Sequence, residues 1–272
     1  MPESNPTQNM AIFCDFENVA LGVRDANYAA FNIQKVLERL LLKGNIVVKK
    51  AYCDWDRYKE FKATMHEAAF ELIEIPHVRQ SGKNSADIRM VVDALDLCYT
   101  KLHLDTFVII SGDSDFSPLV SKLRENNKVV IGVGVKNSTS DLLTANCDEF
   151  IFYDDLVRDS KKPAQNRRKN AGKKAAKKKV SKKLPSEEEK RKQEALDLVV
   201  ATVEDLIQER GETGKVWGSM VKQTLKRRKP GFSERYHGFS TFNALLEEAE
   251  ERNLLILEAD EKSGGYMIKS VT

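Results

Sequence analysis

The chain has 272 residues, 41% of them hydrophobic, and a net charge of only +3, which allows one or two domains, each with its own core. No apolar run approaches the roughly 18 residues of a membrane span, and residues 1–10 lack the hydrophobic stretch of a secretory signal, so a cytoplasmic protein is expected. The four cysteines (Cys14, Cys53, Cys98, Cys147) are widely spaced and form no CxxC pair, which reads as buried thiols and excludes a disulfide frame or zinc site.

The small net charge hides an asymmetry. Residues 158–183 hold 13 Lys or Arg and a single acid, Asp159. Residues 1–157 hold 17 basic and 23 acidic groups, and residues 184–272 hold 14 and 17. One short segment thus carries all of the positive excess between two mildly acidic regions.

In chain order, residues 10–15 (MAIFCD) form a short apolar strand that ends in an acid. Residues 28–42 follow as a helix, with Phe31, Val36, Leu37, Leu40 and Leu41 at helical spacing, closed by Gly44. Strands are predicted at 46–52, 71–76, 106–111, 128–135 and 149–153. Helices are predicted at 61–70, at 85–99 (Ile88, Val91, Val92 and Leu95 on one apolar face) and at 119–125. The run TFVIIS at 106–111 is nearly all apolar, as in a strand covered on both faces. Strands alternating with helices imply a parallel sheet in an α/β layered fold.

Residues 158–190 break this periodicity. Their Lys, Arg, Ala and Asn content cannot build a core, so they read as a tether. From about Glu194, Leu196, Val199, Val200, Val203, Leu206 and Ile207 make a helix face that ends at Gly211. A short helix at 216–225 and another capped by Ser240 and running to about Arg252 follow. Two strand-like runs around Gly264-Gly265 signal a hairpin. Three helices and a hairpin describe a winged helix. The expected organisation is a tail (1–9), an α/β domain (10–157), a basic linker (158–191) and a winged-helix domain (192–272).

Four acids stand where strands end or helices begin: Asp15 after the first strand, Asp87 after Gly82-Lys83-Asn84, and Asp113 and Asp115 in Ser-Gly-Asp-Ser-Asp after the buried-looking strand. Ligands of open α/β sheets bind beyond the carboxyl ends of the strands, so the four fit one site. Hydrolysing a phosphodiester requires offsetting the phosphate charge and generating hydroxide near neutral pH. Mg²⁺ or Mn²⁺ does both, and these hard ions take carboxylate oxygens. Asp15, Asp87 and Asp113 are the expected core ligands, with Asp115 a further ligand or a water-positioning group and Asn18 and Ser111 supporting them through hydrogen bonds. A lone Asp at a strand end is otherwise a turn former or helix cap, but an acid directly after Ala11-Ile12-Phe13-Cys14 is costly without a partner. Asp93 and Asp96 fall about 240° and 180° round the helix from Asp87 and read as a solvated face or helix salt bridges.

The segments Ile12-Phe13-Cys14-Asp15-Phe16-Glu17-Asn18, Gly82-Lys83-Asn84-Ser85-Ala86-Asp87 and Val108-Ile109-Ile110-Ser111-Gly112-Asp113-Ser114-Asp115-Phe116 resemble the NYN family of PIN-like nucleases over about residues 10–155. The resemblance implies a PIN-like α/β/α sandwich, Mg²⁺ or Mn²⁺, and RNA cleavage. By position it assigns Asp15, Asp87, Asp113 and Asp115 to the acidic metal site and Asn18 to its companion amide, and it adds weight to Asp93. Lys136-Asn137-Ser138-Thr139-Ser140 resembles the family's late polar loop. Lys136, Asn137 and Ser138, with Ser111, are therefore candidate nucleic-acid contacts, though a plain surface loop fits the same residues. Some relatives bind RNA with little cleavage, so the acids alone do not establish activity.

The basic tether gathers nucleic acid without sequence choice by releasing counterions; a solubilising linker or a localisation signal has the same composition. Residues 192–270, from Val216-Trp217-Gly218-Ser219-Met220-Val221-Lys222 through Phe239-Ser240-Thr241-Phe242 to Gly264-Gly265-Tyr266, resemble the OST-HTH, or LOTUS, domain. That implies a winged helix binding RNA or a protein partner. Its expected recognition helix carries Glu247, Glu248, Glu250 and Glu251 against Arg252, so duplex DNA is a poor candidate. Lys222, Arg227, Arg228 and Lys229, with Lys226 and near Phe232, Tyr236 and Phe239, make a better face for single-stranded or structured RNA, unless these rings are core. The expected function is a metal-dependent RNA endonuclease; the alternative is a non-catalytic RNA-binding adaptor. A phosphohydrolase with Asp15 as nucleophile expects an Asp where Glu17 stands. The four histidines share no metal-ligand spacing.

Overall fold

A computed structural model describes residues 8–28, 30–75, 85–160, 187–210, 215–260 and 264–272. The chain divides into two compact units, Met1–Arg158 and Asp159–Thr272. No helix among the described residues is long and apolar enough to cross a membrane.

The first unit is built on a six-stranded parallel sheet. Its strands are β1 (Gln8–Asp15), β2 (Gly44–Cys53), β3 (Glu71–Glu74), β4 (Thr106–Ile110), β5 (Val129–Gly134) and β6 (Glu149–Phe152), in the spatial order β3-β2-β1-β4-β5-β6. Alternate residues of each strand serve opposite layers, as the pleat requires. Met10, Ile12, Cys14, Val108, Ile110, Ile131 and Val133 face one core, together with helices α1 (Phe16–Asp25), α2 (Ile33–Leu41) and α3 (Lys59–Glu67). Ala11, Phe13, Phe107, Ile109 and Val130 face the other, with α4 (Ser85–Thr100), α5 (Ser117–Glu125) and α6 (Asp141–Asn146). The result is the expected α/β/α sandwich, and β4 is buried along its whole length. A last helix, α7 (Tyr153–Ser160), runs past residue 158, where the tether was expected to begin.

Three local expectations are corrected. Helices α1 and α6 were not foreseen, and the helix expected over 28–42 is confined to Ile33–Leu41. The face of α4 is also different. Met90, Ala94 and Cys98 are buried, whereas Ile88 and Val92 are 63% and 56% exposed. Of the expected face, Val91 and Leu95 still pack against the core, half-buried, while Ile88 and Val92 turn outward. The four cysteines are buried and free.

The second unit comprises α8 (Glu187–Arg210), β7 (Val216–Trp217), α9 (Gly218–Arg228), α10 (Phe242–Glu251), β8 (Leu255–Asp260) and β9 (Gly265–Val271). The strands form a small antiparallel sheet ordered β7-β9-β8. The core packs Leu196, Val199 and Val203 of α8 against Val221, Leu225, Leu245, Leu246, Leu255 and Ile268. Helix α8 starts at Glu187, ahead of the apolar periodicity at Glu194, because its first turns are charged. β7 replaces the helical start expected at Val216. The cap of α10 is Thr241, not Ser240: its side chain accepts the Ala244 N–H at 3.1 Å. The basic segment 161–183, the residues Gly82-Lys83-Asn84 and Gly211 lie outside the described residues.

Candidate active site

In this strand order the chain's winding reverses between β1 and β4. Crevices at such a switch point, beyond the carboxyl ends of the strands, are where open α/β sheets bind ligands. β1 ends in Asp15 and β4 runs into Ser111-Gly112-Asp113, so these residues meet there because the topology brings the two strand ends side by side. Asp87 arrives on the first turn of α4. Asp15, Glu17, Asn18, Asp54, Asp87 and Asp113 line one cleft of about 300 Å³.

Hydrogen bonds set the geometry. Asp15 caps α1, its Oδ1 accepting the Asn18 N–H at 3.3 Å, while its Oδ2 accepts the Ser111 hydroxyl at 3.0 Å. Ser111 Oγ in turn accepts the Asp113 N–H at 3.2 Å, and Asp113 Oδ1 accepts the Asp115 N–H at 3.0 Å. The Asn18 amide oxygen accepts the Gly112 N–H at 2.9 Å. Asn18 and Ser111 thus strap the loop after β4 to the end of β1. Ser111 is fully buried and is not placed to contact RNA, so that expected role is corrected; its other expected role, supporting the acids, is the one its hydrogen bonds to Asp15 and Asp113 fill.

The polar loop after β5 closes over this strap. The Gly112 carbonyl accepts the Ser140 N–H at 2.9 Å, and a Cβ on Gly112 would stand 2.4 Å from the Ser138 carbonyl oxygen. Lys136, Asn137 and Ser138 are exposed on this loop, and the Lys136 N–H is held by Asp154 at 2.8 Å.

Burial raises the Asp15 carboxyl from its ordinary 3.8 to about 7, helped by the negative charge of Asp87 and, more weakly, Asp113; the Asn18 and Ser111 hydrogen bonds pull the other way. Asp87 rises to about 6, through burial and then the charges of Asp113, Asp115 and Glu17. The charges that raise Asp87 are those of three neighbouring carboxylates. A cluster of hard oxygen donors with so little cationic compensation fits a divalent cation by its chemistry. As placed, no three His, Cys, Asp or Glu side chains among the described residues converge closely enough to share one ion.

The other expected site residues are placed as follows. Asp115 is exposed. Asp93 is part of a separate network, accepting the Tyr52 hydroxyl at 2.9 Å and pairing with Arg89 at 3.1 Å and Lys50 at 3.6 Å. In the second unit Lys222 pairs with Glu234 at 2.8 Å and lies 5.8 Å from the Phe242 ring centre. Arg228 pairs with Asp205, while Arg227 and Lys229 are exposed. Phe232 and Phe239 belong to the core, so those rings are not free for stacking. Asp54, which lines the cleft, was missed. It follows the apolar end of β2 just as Asp15 follows β1, and the same strand-end signal could have found it.

The first unit is therefore a parallel α/β domain with an acidic cleft at its switch point. The NYN domain signature matches residues 9–154, and the chain belongs to that family, whose fold is that of PIN-like nucleases and RNA-binding domains. The chain is 25% identical over 150 residues to the Meiosis regulator and mRNA stability factor 1 of Xenopus tropicalis, a match covering 55% of this chain and 9% of the frog protein. It is 26% identical over 142 residues to an uncharacterized protein of Methanocaldococcus jannaschii, covering 52% of this chain and 56% of that one. The crystal structure of a protein of unknown function from Vibrio parahaemolyticus superposes with a TM-score of 0.50 at 27% identity, over 57% of this chain and 98% of that one.

Proposed function

We propose that the first unit is a metal-dependent RNA endonuclease. The carrying observation is that Asp15, Asp87 and Asp113, 72 and 26 residues apart in sequence, line one cleft in which burial, and then mutual repulsion, raises Asp15 and Asp87. Asp15, Asp87 and Asp113 would hold Mg²⁺ or Mn²⁺, with Asp115 beside them. The ion, when bound, offsets phosphate charge and activates water near neutral pH. Asn18 and Ser111 keep the Asp15 and Asp113 carboxyls in place, and the exposed Lys136–Ser138 turn supplies contacts to the nucleic-acid backbone. The frog relative's name, an mRNA stability factor, supports RNA as the substrate class.

In this reading the second unit is a winged helix of the OST-HTH, or LOTUS, type that holds RNA or a protein partner. Its succession of helices with a closing hairpin, and its three-stranded antiparallel sheet, support that assignment. The tether at 158–183 adds sequence-independent attraction for RNA.

The test is cleavage of a labelled RNA panel by the wild type and Asp113→Asn, with Mn²⁺, with Mg²⁺ and with EDTA. The Asn side chain keeps an oxygen for the Asp115 N–H, so the loop stays in place. The expected outcome is cleavage that needs metal and falls at least about 100-fold in the variant, since even outer partners of metal ligands cost 10–100-fold. Bound but uncut RNA favours the second reading, a non-catalytic RNA-binding adaptor. That reading draws on the unconverged carboxyls among the described residues.

A further inference from the structure

A second cavity, of about 410 Å³, opens beside the acidic cleft, between α1 and the segment leading into α3. Leu21 lines both cavities. Two guanidiniums, Arg24 and Arg57, and the rings of Tyr28 and Tyr58 face it, against a single acid, Glu60. This is unusual in a unit whose net charge is negative. Arg57 donates to Glu17 at 3.2 Å, and Glu17 lines the acidic cleft, so this guanidinium stands at the junction of the two. Both arginines lie close enough to Tyr58 to act on its hydroxyl. They are 73% and 52% exposed at the side chain, and an arginine held by one carboxylate keeps further donors for a second partner. The Tyr58 ring is fixed edge-on against Phe16 at 5.7 Å and is only half-buried.

Cations beside partly exposed aromatic rings are what an unstacked nucleotide requires, and the volume lies within the roughly 300–1,000 Å³ of ligand pockets. We infer that this cavity is a nucleotide subsite of a single RNA strand, binding the nucleotide next to the phosphate in the acidic cleft: Arg24 and Arg57 take the backbone and Tyr58 the base. The inference rests on the reading that the acidic cleft receives RNA, whether or not it cuts it. It gives the strand a direction of approach, along α1, and explains how a polyanion is held beside clustered carboxylates.

The experiment is photo-crosslinking of the full chain to an oligoribonucleotide carrying 4-thiouridine, with Ca²⁺ in place of Mg²⁺ or Mn²⁺ to keep the strand whole, mapped by mass spectrometry. Crosslinks are expected at residues 55–61, and Arg24→Ala/Arg57→Ala is expected to lower their yield at least tenfold, leaving crosslinks to the basic tether unchanged. Because the variant removes two phosphate-binding cations, the salt dependence of the 55–61 crosslinks flattens by a slope of about 1.4. A charge-matched control, Lys101→Ala/Lys122→Ala on the opposite layer, is expected to change the yield less than twofold. No crosslink at 55–61 in the wild type, or equal yield in the arginine variant, overturns the subsite, and so does an equal fall in the control. Metal-dependent cleavage measured in parallel separates the two ideas. RNA that is cut but not crosslinked there sinks the subsite alone. RNA crosslinked there but never cut leaves the subsite standing and sinks the nuclease. RNA neither bound nor cut removes both.

Discussion

Replacing Asp15 by Asn should stabilise the metal-free protein at neutral pH while removing a proposed ligand. Asp15 is 9% exposed, and its carboxyl is raised from 3.8 to about 7. A carboxyl with a raised folded-state value holds its proton more tightly when folded. Stability is therefore greatest below pH 3.8, declines as the unfolded chain ionises between about 4 and 7, and is level above 7. At about 1.4 kcal/mol per unit, ionising Asp15 in place costs about 4 kcal/mol at pH 8. Asn carries no charge and can still accept the Asn18 N–H, but it turns an NH₂ towards Ser111 Oγ, which costs about 1–1.5 kcal/mol. The net expectation is a gain of roughly 2–3 kcal/mol at pH 8 and a loss of about 1 kcal/mol at pH 4, with the sign changing near pH 5. At about 2–4 °C per kcal/mol for a unit of this size, the melting point rises by roughly 5–10 °C at pH 8. The assay is thermal unfolding in EDTA from pH 4 to 8.5. It follows the fluorescence of Trp55, buried in the first unit, in a Trp217→Phe background so that the second unit stays silent. Mn²⁺ should raise the wild-type melting point and leave the variant unmoved. A variant equally destabilised at pH 4 and pH 8 would refute the reasoning, because the Asp15 charge would then carry no penalty.

Gly112→Ala should cost roughly 1–3 kcal/mol, because its Cβ meets the backbone oxygen of Ser138 at 2.4 Å. Gly22→Ala, which meets mainly the Ser138 hydroxyl at 2.4 Å, should cost less; chemical denaturation compares the two, and equal costs would show that the polar loop moves freely. Asn18→Ala strands the buried Gly112 N–H, with an expected loss of roughly 1–3 kcal/mol and faster hydrogen exchange at Gly112, read by NMR. Thr241→Ala removes the α10 cap and should destabilise the second unit by about 1 kcal/mol, with the transition of the first unit unchanged in calorimetry.

The sheet was legible because its strands are apolar runs that the two cores require, and β4 reads as buried because it is buried on both faces. Helices were legible only where their apolar residues are large. In α4 the buried stripe is Met90, Ala94 and Cys98; a reading that ranks side chains by apolar bulk picks Ile88, Val91, Val92 and Leu95, of which only Val91 and Leu95 pack against the core. α1 escaped notice because its start signal, Asp15, had already been read as a strand end, and one residue serves both purposes. α6 is only six residues long. Asp15, Asp87, Asp113 and Asp115 stood out by position, and Asn18 and Ser111 as their supports, but the partners of those supports did not. That Asn18 reaches Gly112, 94 residues on, follows from β1 and β4 being neighbours, which single-strand patterns do not specify. The Arg24–Arg57 pair was invisible for the same reason, since only the packing of α1 beside the start of α3 brings those side chains to one cavity.

Two demands on this cleft conflict. Carboxylates dense enough to hold a hard cation repel the phosphates they are meant to receive, and they weaken the fold that carries them. The rigid part of the answer lies in the backbone: Asp15 and Asp113 sit at adjacent strand ends and are braced by Ser111 and Asn18, so burial and repulsion raise the proton affinity of Asp15 instead of scattering the loop. The electrostatic part lies in placement. Among the described residues no lysine or arginine lines the cleft, where it would compete with a cation; positive charge is set one cavity away on Arg24 and Arg57 and along the sequence at 158–183. On the proposed reading, a site arranged this way takes a divalent cation into the cleft itself and draws a nucleic-acid strand to the cleft's rim rather than into direct contact with bare carboxylates.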